Sequence, residues 1–163
     1  MLTQEEIDAL REITDRGKLF ERVGREIAAL LGDETRYENQ VRSWSHGIEG
    51  ISLELSEEIR PKLGGLVDDW IYELIEKSAD AASEIHFEVK RCSSKGVPLR
   101  ECVLDEEVER LVAELDRIYE SKFGKRCTWL LGTKKPYNAT SAINDVTACF
   151  HRAVEALERT LMD

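Results

Sequence analysis

The residues best equipped for recognition lie in the segment Gly124-Lys125-Arg126-Cys127-Thr128-Trp129-Leu130-Leu131-Gly132-Thr133-Lys134-Lys135. Residues 121–144 hold no acid, so an indole set among Lys125, Arg126, Lys134 and Lys135 offers an apolar anchor beside charges suited to an anion or to a partner's carboxylates. The alternative is a loop whose bases offset neighbouring acidic helix ends while Trp129 fills the core. The glycines build no phosphate-binding loop, because Gly132 is followed by Thr133 and not by the Lys-Ser or Lys-Thr pair such a loop needs. A second acid-free stretch, residues 89–100, carries Lys90, Arg91, Lys95 and Arg100.

Two other groups invite chemistry. Asp69, Glu73, Glu76, Asp80 and Glu84 recur at spacings of three and four, which lines carboxylates along one side of a helix. Such pairs repel by roughly a few tenths of a kcal/mol each, and a hard cation would relieve them if their oxygens converged; a solvated rim is the other reading. With Glu54, Glu57 and Glu58 just upstream, the pattern resembles that of all-α nucleotide pyrophosphohydrolases. That resemblance implies magnesium held between acidic helices by residues such as Asp69, Glu73, Glu76 and Asp80.

His46 lies in Trp44-Ser45-His46-Gly47-Ile48-Glu49-Gly50, two residues from each of two seam positions, so it faces water, with a glycine four residues on. The segment is similar to the phosphoacceptor segment of histidine-phosphotransfer domains, and the resemblance implies a phosphorylated His46 and a receiver-domain partner; Glu49 stands where that family favours lysine. Val23 to Glu34 resembles the death-motif helix of apoptosis regulators, with Ala28 in place of its leucine. His86 and His151 read as helix-flank residues.

The elements that must position these groups are helices. Thr3 and Glu6 form a capping box, and Ile7, Leu10 and Ile13 line one face up to Gly17; Leu19 to Leu31 then form a second short helix stopped by Gly32. Tyr37, Val41, Trp44, Ile48, Ile51, Leu55 and Ile59 mark a third helix that Pro61 stops. Leu66, Trp70, Leu74, Ala81, Ile85 and Val89 mark a fourth, so the two form a long antiparallel hairpin. Asp105 caps a fifth, which presents Val108, Leu111, Val112, Leu115, Ile118 and Tyr119 and ends at Gly124; Ile143, Val146, Phe150, Val154, Leu157 and Leu161 define the last. Residues 128–131 stand between strand and turn. The expected fold is all-α, an antiparallel bundle of four main helices with an N-terminal short helical pair, in a single domain over residues 1–163. In such a bundle the two basic segments lie at opposite ends of the fifth helix.

The chain has 163 residues and a formal net charge of −10, which disfavours nucleic acid and anionic membranes as partners. Cys92, Cys102, Cys127 and Cys149 lack metal-ligand spacing and read as free thiols. With no export signal at the N-terminus and no long apolar run, a cytoplasmic protein is expected. The leading expectation is a non-enzymatic interaction or regulatory module without cofactor that binds a protein through a bundle face or a basic loop, with homo-oligomerisation across a two-fold axis as a further possibility. A phosphotransfer protein using His46 comes second, and a magnesium-dependent hydrolase using the acidic stripe third.

Overall fold

The computed structural model describes residues 2–133 and 135–162, and all its regular elements are helical. They are α1 (Gln4–Ala28), α2 (Glu34–Glu54), α3 (Arg60–Leu63), α4 (Asp69–Ser94), α5 (Glu106–Phe123) and α6 (Ala139–Met162), and the five long ones enclose one continuous core. The all-α class is as expected. Residues 128–131 form no strand; the described residues hold a single isolated β-bridge, between Val103 and Asn138.

The N-terminal pair of short helices is instead one helix of 25 residues, opened by the Thr3–Glu6 capping box. Its glycines are approach points for α6. A Cβ on Gly17 would lie 2.8 Å from Cγ2 of Val154, and one on Gly24 would lie 2.5 Å from Oγ1 of Thr147. Close packing against α6 repays the helix cost of each glycine, about 1 kcal/mol. Because Gly17 meets Val154 and Gly24 meets Thr147, the two helices run in opposite directions.

A π-turn, Leu55–Ile59, carries α2 into α3, and Pro61 falls in the first turn of α3, where proline is tolerated. The helical path therefore continues past the expected stop. Along α2 and α4 the partners also run in opposite order: Glu34 accepts from the Leu99 N–H at 2.9 Å, His46 meets His86, and the Arg60 guanidinium lies 4.8 Å from the centre of the Tyr72 ring. The seam residues Trp44, Ile48, Ile51, Leu74, Ala81, Ile85 and Val89 are all buried. Each large one contributes about 1.5–3 kcal/mol by leaving water.

The last two helices depart from the antiparallel expectation. The Val103–Asn138 bridge and the 3.2 Å bond from the Leu104 N–H to the Tyr137 carbonyl set the starts of α5 and α6 side by side, so these helices point the same way. Residues 124–138 must then return along the length of α5, which brings their far end beside residues 103–104, just past the first basic segment, rather than leaving the two segments at opposite ends of α5. The free-thiol reading is also overturned: Cys92 is joined to Cys102 and Cys127 to Cys149. No helix among the described residues is long and apolar enough to cross a membrane.

Candidate functional site

The returning segment is fixed by two buried carboxylates from different helices. Asp116 of α5 accepts from the N–H groups of Cys127 and Thr128, each at 2.9 Å, from the Thr128 hydroxyl, and from Arg126 at 3.1 Å. Asp145 of α6, fully buried, accepts from the N–H groups of Trp129 at 2.7 Å and Leu130 at 2.8 Å and from the Tyr137 hydroxyl at 2.6 Å. Burial and the Asp145 charge hold the Tyr137 phenol far above its ordinary pKa, so it stays a donor. The Cys127–Cys149 disulfide ties the same segment to α6. Asp116 lies with the sulfurs of Cys127 and Cys149 inside 4.8 Å, but those sulfurs are bonded to each other and the carboxylate is taken up by its donors.

This scaffold turns Trp129 outward. Its side chain is 73% exposed, which excludes the reading that it fills the core, and with Leu130 it walls a cleft of about 590 Å³ between α1 and α6. The other walls are Glu21 and Arg25 of α1 and Thr147, His151, Arg152 and Glu155 of α6. At the floor, the Thr147 hydroxyl accepts from the buried Trp44 indole N–H at 3.1 Å, which ties the cleft to the core. His151 Nε2 lies 3.1 Å from Glu155 and 3.5 Å from Glu21, while its Nδ1 is buried without a partner. An exposed indole, a histidine between two carboxylates and two guanidinium-bearing residues therefore share one concave surface.

Two of the bases expected to surround Trp129 are paired elsewhere. Arg126 donates to Asp116 and, at 2.9 Å, to the Leu131 carbonyl, so it braces the segment from within. Lys135 pairs with Glu109 at 2.9 Å. Lys125 is exposed, and Lys134 lies outside the described residues. The cationic groups beside the indole are Arg25 and Arg152, which come from elsewhere in the sequence. Only their helical spacing, not their proximity to Trp129, is written locally in the chain.

The acidic stripe does not converge. Asp69, Glu73, Glu76 and Asp80 are exposed, but Asp69 turns to Arg60 at 3.6 Å and Glu73 to Arg117 at 3.7 Å, while Glu76 and Asp80 line the α2–α4 groove with Glu49. No three of them bring ligand atoms within 4.8 Å of one another. His46 is exposed, as its spacing implies, and its ring stands edge-on to His86 with centroids 5.6 Å apart. No family model, curated protein or solved structure matches this chain.

Proposed function

We propose that this protein is a non-enzymatic interaction module that binds a protein partner in the cleft beside Trp129. One observation carries the reading: a large apolar side chain is held in solvent by a segment whose backbone is fixed by Asp116, Asp145 and a disulfide. A preorganised indole loses little conformational freedom on docking, and tryptophan is the residue most often found at the centre of interface energetics. The rim supports a protein over a nucleic acid, since Glu21 and Glu155 alternate with Arg25 and Arg152 and a phosphate backbone would meet both signs. The two disulfides support placing this work in an oxidising compartment and remove the thiol argument for a cytoplasmic one.

The test is capture from native extract by the wild-type chain and by Trp129→Ala, with size-exclusion light scattering on each to register self-association. A partner retained by the wild type and lost by a variant of unchanged melting temperature supports the proposal. Equal capture by both places recognition elsewhere and ends the reading.

A further inference from the structure

The α2–α4 register that sets His46 against His86 also sets Arg42, one turn before His46, on the side of Lys90, one turn after His86. Four groups able to carry positive charge thus face one another across two helices. Arg42 and Lys90 both act on His86 through space, so the four form one electrostatic neighbourhood. In a chain of net charge −10, none of these four has a carboxylate within 4.0 Å among the described residues. Arg42 has only the Asn39 side-chain carbonyl, at 3.4 Å. The carboxylates nearest in register are Glu38, which acts on His86 from one turn before Arg42, and Glu49, one turn beyond His46.

We propose that Arg42, His46, His86 and Lys90 form a binding site for a tetrahedral oxyanion, a phosphate or sulfate group, that strengthens as His86 takes up its proton. The chemistry follows from the charges. Two guanidinium or ammonium groups flank two imidazoles, and a doubly negative oxyanion seated between them supplies the charge partner that no carboxylate provides. Without an anion, burial and the neighbouring cations press His86 below its ordinary pKa, so it binds its proton reluctantly. An anion reverses the sign of that neighbourhood, so anion binding and proton binding assist each other.

Inorganic sulfate is the suitable probe, since its charge is constant over the working range. Carbon-detected imidazole resonances of His46 and His86 are followed during sulfate addition at pH 5.5 and pH 8, with chloride at matched ionic strength as reference and His151 as the internal control. Saturable shifts of His46 and His86 but not His151 are expected, with affinity about tenfold higher at pH 5.5. Arg42→Gln and Lys90→Gln should each weaken binding several-fold, and bound sulfate should raise the His86 pKa. Repeating the titration with a phosphopeptide and with a sulfated oligosaccharide distinguishes the source of the group. Shifts that match chloride, or that His151 shares equally, overturn the site.

Discussion

The connection before α5 and the connection after it are each closed by a disulfide and anchored on buried carboxylate, yet they differ in the apolar group left in solvent, Val103 at 52% exposure in the first and the much larger Trp129 at 73% in the second. Before α5, Glu88 accepts from the Asp105 N–H at 2.9 Å and pairs with Arg91 three residues away at 2.7 Å, while Leu99, Cys102 and Leu104 turn into the core. After α5, Asp116 and Asp145 grip the backbone from two helices, and the residue so held, Trp129, faces out. The first arrangement closes a core. In the second, buried hydrogen bonds hold an apolar side chain in water, which folding alone does not favour and recognition does.

The comparison breaks most visibly at its anchors. Asp145→Ala strands two N–H groups and the Tyr137 hydroxyl, and each unsatisfied buried donor is costly, so a loss of about 4 kcal/mol is expected in denaturant unfolding. Glu88→Ala strands one backbone N–H and leaves Arg91 partly in water, and should cost about 2 kcal/mol. Equal losses would mean that the two connections are held alike.

The disulfides come next. Cys127 and Cys149 are 22 residues apart, so changing both to serine should cost about 3 kcal/mol through the freer unfolded chain, against about 2.5 kcal/mol for the Cys92–Cys102 pair, which spans 10. The sharper difference is local. Amide exchange at Trp129 and Leu130 should quicken when the second bridge is removed and stay unchanged when the first is.

What the sequence disclosed tracks how local each signal is. The seams of α2 and α4, the Thr3 cap and the exposure of His46 follow from period and spacing. Gly17 misled because a glycine in a helix reads as a break unless Val154, far along the chain, is known to press against it. The basic setting of Trp129 was legible, but Asp116 and Asp145 reach their N–H partners across 11 to 16 residues, a separation with no pattern. The same limit hid Arg25 and His151 beside the indole, and it hid that Arg126, half in solvent, also donates to Asp116 and to the Leu131 carbonyl.

Arg126→Gln sharpens that last distinction. It removes a charge-assisted contact to Asp116 and a bond to the Leu131 carbonyl, but the three other donors to Asp116 remain and the guanidinium is half in solvent, so about 1.5 kcal/mol is expected. Lys125→Gln, on the same segment, should fall within the error of the melt. Matching losses would return Arg126 to the surface charges.

The smallest effect sorts the two connections by pH. Glu84, on the α4 turn before Glu88, is held above the ordinary carboxylate range, first by burial and then by the charges of Glu88, Glu107 and Asp105, all at the first connection. The folded chain therefore holds this proton more tightly than the unfolded chain does. Below the unfolded value the group is neutral in both states and costs nothing; as pH rises through the unfolded and then the folded value, its ionisation progressively weakens the fold. Glu84→Gln lacks that loss. It should melt with the wild type near pH 3 and exceed it by about 0.3 kcal/mol at pH 7, in line with other exposed like-charge contacts. A difference constant from pH 3 to pH 7 would trace the gain to packing, and the first connection would then owe nothing to its crowd of acids.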